Sequence, residues 1–229
     1  MLSGRVIRMI ELKKATKLYN DAGNLIFAVN EIDLAIKKGD LISIAGPSGS
    51  GKTTLLSLIG CLTKPSSGRI LIDEKDVSSL SDEALSALRS EKIGFVFQQA
   101  HVIPTMTVLE NVLLPLVFSK EKDVEKKKER AIKLLKEVGL DSRINSIPKN
   151  MSGGQVKRIS IARALINCPE ILLADEPTGD LDQASSREIM EILKRMNRDE
   201  GLTVLLVTHN QELAQEAHIR LKMRDGKLA

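Results

Sequence analysis

The eight residues "GPSGSGKT", Gly46 to Thr53, constrain this chain more than any other stretch. They follow the apolar run "LISIA" and lead into "TTLLSLIG", a helical pattern. This is G-x-x-x-x-G-K-[ST] in the strand–loop–helix setting that gives the motif its meaning. Glycines turn backbone N–H groups toward one point, and the helix N-terminus adds free N–H groups and a positive dipole end; together they suit phosphate oxygens. Lys52 then reaches the β- and γ-phosphates, and Thr53 holds Mg²⁺. The expected nucleotide contacts are Gly46, Pro47, Ser48, Gly49, Ser50, Gly51, Lys52, Thr53 and Thr54. A glycine-rich turn without a ligand is the bland alternative, and pattern plus context outweigh it. Such a loop needs its strand in a largely parallel sheet covered by helices, so the expected class is α/β.

The rest of the chain agrees. "LISIA", "IGFVF", "EILLAD" and "TVLLVT" are short apolar runs of the kind that form strands buried on both faces, and "GRILID" is a further strand candidate. "IELKKATKLY" and "FAVNEIDLAI" alternate with period two, as half-buried antiparallel strands do. Helices are expected to start near Lys52, Ser81, Glu110, Val124, Gly154, Gln183 and Gln211. From Gln98 to about Ser160 there is no good strand, which implies a helical insertion. The expectation is one domain over residues 1–229: a P-loop NTPase core (about 1–97 and 160–229) with a mixed, largely parallel sheet, an antiparallel β subdomain, and a helical subdomain (about 98–159). The first eight residues read as a loose arm.

Composition removes several function classes. A net charge of +4 from 34 basic and 30 acidic residues gives no case for a nucleic-acid partner. The densely charged run "KEKDVEKKKER" mixes both signs and reads as a solvated helix face. Cys61 and Cys168 lack metal-ligand or CxxC spacing and read as buried small hydrophobes in a reducing compartment. No apolar run is long enough for a signal peptide or a bilayer span, so the expectation is a cytoplasmic protein without direct membrane insertion.

Two further strand ends carry chemistry. "EILLADEP" ends in Asp175, placed to hold Mg²⁺, and Glu176, placed to orient and deprotonate a water beside the γ-phosphate. "LLVTHN" puts His209 at the exit of another buried strand; a lone histidine is usually structural, but this position beside a phosphate loop favours a functional one. A third element is harder to place. "MSGGQ" opens an amphipathic helix with Ser152, Gly153, Gly154 and Gln155, a second phosphate-type helix start about a hundred residues after the first.

"GPSGSGKT", "FVFQQ", "MSGGQ", "LLADEP", "GDLD" and "VTH" stand in the order and approximate spacing of ATP-binding-cassette (ABC) ATPases, and the resemblance covers essentially the whole chain. It implies an ATP- and Mg²⁺-dependent ATPase that pairs with a second copy head to tail, so that Ser152, Gly153 and Gly154 close on the partner's nucleotide. It also implies that Tyr19 stacks on adenine, the alternative being a half-buried strand tyrosine. Gln98 would sense Mg²⁺ and the attacking water, with Gln99 as its rival. Asp182 would reach across the dimer, and His209 would support Glu176 and the γ-phosphate. The sequence departs from the pattern at Met151, at Val156 and Lys157, and at Asp180. "FVFQQAHVIPTMTVLENVLLPLVF" with "ADEPTGDLD" resembles the lipoprotein-releasing and macrolide-exporter branch. That branch implies a separate membrane permease, reached through the helical subdomain around Val102, Ile103, Pro104 and Met106, and a peripheral place on the inner membrane face. Simple packing within that subdomain is the alternative for any one of these residues. Regulation of cell-wall remodelling through a similar permease is the alternative to transport. A small-molecule kinase would leave "SGGQ" unexplained, and the DNA and ribosome relatives carry coiled coils, zinc modules or paired cassettes that are not present here.

Overall fold

The computed structural model describes residues 8–21, 23–118 and 123–229. The expected arm, apart from Arg8, lies outside the described residues, as do Lys120, Glu121 and Lys122 of the charged run. In chain order the strands are β1 (Arg8–Asp21), β2 (Asn24–Lys37), β3 (Leu41–Ala45), β4 (Ser67–Ile72), β5 (Lys75–Asp76), β6 (Ile93–Val96), β7 (Ile171–Asp175), β8 (Thr203–Thr208), β9 (Ile219–Arg224) and β10 (Lys227–Leu228). The helices are α1 (Lys52–Ile59), α2 (Asp82–Lys92), α3 (Val108–Leu113), α4 (Val124–Glu137), α5 (Gly153–Leu165), α6 (Gln183–Glu200) and α7 (Gln211–Ala214). One sheet is four-stranded and antiparallel, in the order β2-β1-β4-β5. The other is six-stranded, β10-β9-β3-β8-β7-β6, parallel except for the terminal β9–β10 hairpin.

Two cores follow from period-two alternation in strands covered on both faces. Ile42 and Ile44 of β3, Ile171 and Leu173 of β7, and Leu205 and Val207 of β8 join α1 and the antiparallel sheet. Leu41, Leu172, Ala174, Val204 and Leu206 point to the other face and join α3, α4, α5 and α6. This double coverage leaves the carboxyl ends of β3, β7 and β8 as the place where the chain turns out of the sheet, and ligands bind at such ends.

Helix starts match their local chemistry. Ser81 caps α2 by accepting from the Ala84 N–H, and Thr107 with Glu110 forms a capping box, so α3 begins at Val108, two residues before the expected position. No strand occurs between Gln98 and Ser152 among the described residues. α5 runs through residue 160, and its C-terminal half packs Ile161, Ala162 and Leu165 into the core shared with β6, β7 and β8.

Some details correct the sequence reading. β6 stops at Val96, one residue short of "IGFVF". β5, β9 and β10 were not expected. β9 has a legible pattern, since Ile219, Leu221 and Met223 alternate with Arg220, Lys222 and Arg224, and only the charges disguise it. Cys61 is buried, and burial pushes its thiol up to about 11. Cys168 is exposed, contrary to expectation: it sits in the turn between α5 and β7 with φ +49°, which swings the side chain out against Arg130.

Candidate active site

The phosphate loop is shaped by what packs behind it. A Cβ on Gly46 would lie 2.2 Å from the Met223 carbonyl oxygen, and one on Gly51, at φ +100°, would lie 1.9 Å from that of Ala28. Only glycine allows β2 and β9 to approach so closely. The β9–β10 turn adds two backbone bonds, Gly226 N–H to Ser50 O (3.1 Å) and Asn30 N–H to Gly226 O (2.8 Å). This bracing is the supporting element that sequence reading missed. Gly49, at φ +78°, faces open space, with nothing within 4 Å of an added Cβ.

Gly51 caps α1 with no side-chain hydrogen bond, so the first N–H groups of α1 have no cap of their own. Lys52 is buried and folds back over the loop, donating to Gly46 O and Pro47 O at 2.9 Å each. Ser50 Oγ is buried with no partner among the described residues. An uncapped helix start, a buried ammonium and an orphaned hydroxyl around one loop make an anion site by chemistry alone.

β7 and β8 deliver the remaining groups. Thr53 Oγ1 donates to Asp175 Oδ1 at 3.2 Å. The two form a hard-oxygen pair of the kind that Mg²⁺ takes, so the residues present fit that ion. Burial raises the Asp175 pKa above the usual carboxylate range, while the Thr53 bond and the Lys52 charge act the other way. Glu176 leaves the strand at φ +45°, an unusual backbone for a non-glycine residue, fixed by its N–H bond to Val207 O at 3.0 Å. That turn presents Glu176 Oε1 to His209 Nδ1 at 3.0 Å and leaves Oε2 buried with no partner among the described residues. His209 is placed by the turn after β8, where Asn210 N–H donates to Thr208 Oγ1 at 3.0 Å.

The other candidates sit on separate segments of the chain. Gln98 is exposed, and its Nε2 lies 3.8 Å from where a Cβ on Gly179 would stand, a point that is itself 3.4 Å from Glu176 Cβ. Gln99 is exposed too, without that approach to Gly179. Tyr19 stands on β1 at 44% exposure, with Lys17 Nζ 5.4 Å from its ring centre. Ser152 and Gln155 form a capping box for α5: Ser152 Oγ accepts from Gln155 N–H at 3.3 Å, and Gln155 Oε1 accepts from Ser152 N–H at 3.1 Å. Added Cβ atoms on Gly153 and Gly154 would touch Leu181 and Ser185, so this turn packs against the start of α6. Asp182 caps α6 through both oxygens, taking Ser185 N–H at 2.9 Å and Ser185 Oγ at 2.7 Å. The capping roles of Gln155 and Asp182 went unread in the sequence, although S-x-x-Q is itself the capping-box pattern.

Fold and site together define a cassette-type ATPase, and comparison with known proteins gives the family: the chain belongs to the ABC transporter family, whose model matches residues 29–179. It is 45% identical over 223 residues to the ABC transporter ATP-binding protein MJ0796 of Methanocaldococcus jannaschii, covering 96% of this chain and 95% of that one. Two solved structures of that cassette, one dimeric and one a dimeric post-hydrolysis state bound to ADP and Pi, superpose with a TM-score of 0.89, each covering 96% of both chains at 44% and 43% identity. The lipoprotein-releasing system ATP-binding protein LolD 1 of Rhodopseudomonas palustris is 46% identical over 198 residues, 86% of this chain and 88% of that one. The macrolide export ATP-binding/permease protein MacB of Syntrophobacter fumaroxidans is 42% identical over 219 residues, which are 95% of this chain but 31% of that protein. The chain is therefore an ATP-binding subunit of the ABC ATPase class. No helix among the described residues is long and apolar enough to cross a membrane.

Proposed function

We propose that two copies of this chain pair head to tail around two ATP molecules and hydrolyse them, driving a separate membrane permease of the exporting or lipoprotein-extracting kind. One observation carries the reading: the α5 start is complete as a helix cap yet keeps Ser152 and Gly153 exposed. Ser152 Oγ accepts from Gln155 N–H with one lone pair, which leaves its own O–H free to rotate and donate to whatever meets that face. A γ-phosphate held by the partner's loop is the acceptor that suits a hydroxyl and an exposed glycine N–H at a helix N-terminus, while Gly154, the second glycine, is buried. The dimeric structures of the similar cassette support this pairing.

Within each site Gly46–Thr53 cradles the phosphates, and Lys52 exchanges its loop carbonyls for phosphate oxygens. Tyr19 supplies a ring face for the adenine. Thr53, Asp175 and Gln98 would hold Mg²⁺, which when bound neutralises charge on the β- and γ-phosphates. Glu176 does the proton chemistry: His209 fixes Oε1, and the unpartnered Oε2 accepts a proton from the attacking water. Phosphate leaves, ADP remains, and the pair separates. Asp182, at the head of α6 behind "SGGQ", presents the same face to the partner.

The permease would meet the helical region 98–159, where Val117 and Ile147 are 72% and 50% exposed and Val102, Ile103 and Met106 are part-buried. That docking would keep the chain on the inner face of the membrane. Mixing tests the head-to-tail reading. Lys52→Ala and Ser152→Arg are each expected to be inactive alone. Combined, they form one intact composite site per mixed dimer and recover ATPase activity. No recovery at any ratio would contradict the arrangement.

A further inference from the structure

The loop after β6, which carries Gln98, is gripped from one side by one helix. Lys157, on the second turn of α5, is 5% exposed, and its Nζ donates to Phe97 O at 3.0 Å and to Gln98 O. Arg163, farther along α5, donates to Ala100 O at 2.6 Å and His101 O at 2.8 Å. Four carbonyls of residues 97–101 thus end on two cations of α5, the helix that begins with Ser152.

Such an arrangement is not neutral packing. A buried ammonium is costly unless its donors and its charge are answered. The two carbonyls take donors, and Asp180 and Asp175 favour the charged form, although burial dominates and holds the Lys157 pKa below the usual lysine range. Both acids belong to the segment that carries Glu176. A methionine would fill the same space but leave Phe97 O and Gln98 O without this donor.

We propose that Lys157 is a positioning residue for Gln98, joining the Gln98 loop and the "SGGQ" helix into one moving body. Gln98's approach to the nucleotide of its own chain and the approach of Ser152 to the partner's nucleotide then become one event. The inference rests on the role given to Gln98 above. Gln98 Nε2 lies 3.8 Å from where a Cβ on Gly179 would stand, three residues after Glu176, so a loop that slips also shifts Gln98 relative to that turn.

The test uses the full chain, Mg-ATP and four variants: Lys157→Met, Lys157→Arg, Gln98→Ala and Lys157→Met with Gln98→Ala. Lys157→Met is expected to lower kcat about tenfold or more while KM for ATP moves less than about threefold, and to raise the Mg²⁺ concentration for half-maximal rate. Lys157→Arg, which keeps the cation and its donors, recovers most of the rate. The double variant is no slower than Gln98→Ala, because the two act as a unit. Hydrogen exchange supplies a readout besides activity: amides of residues 97–101 open faster in Lys157→Met while those of α1 do not. If Gln98→Ala leaves rate and Mg²⁺ dependence unchanged, the role given to Gln98 is wrong, and this inference goes with it. If Gln98→Ala is slow but the two losses multiply, or Lys157→Met keeps its kcat, only the coupling is wrong. Should Lys157→Met fail to fold, Lys157→Gln, neutral with one N–H donor to share, is read by the same criteria.

Discussion

The chain has two helix starts of the phosphate-binding type, and they are finished differently. At α1 the capping residue is Gly51, which offers no side chain, and Lys52, Ser50, Thr53 and Asp175 crowd around the open N–H groups. At α5 the cap is complete within the chain, with Ser152 and Gln155 satisfying each other's N–H groups. The first start carries unmet hydrogen-bonding capacity that a resident nucleotide would satisfy. The second is stable by itself and presents only a hydroxyl and glycine backbone outward. A helix start that needs no ligand to stand, yet is shaped for phosphate, suits a visiting partner better than a resident one.

The largest effect that separates the two regions is chemical. Glu176→Gln keeps size and shape but removes the proposed base, so ATP hydrolysis should fall by roughly 10²–10⁴ while nucleotide binding, measured by fluorescence titration, is retained. A loss of binding in step with rate would move Glu176 from the chemistry to the phosphate cradle. The next effect is structural. Gly51→Ala meets both a forbidden backbone and the Ala28 carbonyl, and should cost roughly 2–5 kcal/mol in chemical denaturation. Gly153→Ala meets only a flexible Leu181 methyl at 3.2 Å, and should leave stability within about 1 kcal/mol while weakening ATP-driven association. Equal destabilisation by the two would erase the distinction between a braced site and a free one.

The smallest effect belongs to Asp182. Its bonds to Ser185 Oγ and Ser185 N–H hold its carboxyl below the usual carboxylate range. A folded pKa depressed in this way stabilises the chain above the unfolded carboxylate pKa and is lost as pH falls through the depressed value. Asp182→Asn still caps α6 but does not titrate, so its melting temperature should fall less on acidification than that of the parent chain. Parallel acid limbs for both would remove Asp182 from the account of pH dependence.

How much of this was legible in the sequence depended on whether side chains or backbone carry the feature. Gly46–Thr53, Asp175, Glu176 and His209 could be read because phosphate and proton chemistry demand particular side chains at the ends of buried strands. The His209–Glu176 contact and the Thr53–Asp175 bond then followed from strand order β3-β8-β7. The bracing of the loop by Gly226 was not legible, since its bonds are main-chain to main-chain and leave no side-chain signature. Nor was the grip of Lys157 and Arg163 on residues 97–101, because their acceptors are carbonyls about sixty residues away in the chain. Gln155 and Asp182 show a third case: each fits a family role and a local capping pattern at once, and the local one is what the isolated chain forms.

The head-to-tail nucleotide sandwich is tested most directly by the mass in solution of Glu176→Gln, from gel filtration with light scattering, with and without Mg-ATP. The account predicts a monomer without nucleotide, a dimer with it, and no dimer when Ser152→Arg is added. A chain that binds Mg-ATP yet keeps one mass throughout, or dimerises equally well with Ser152→Arg, would contradict it.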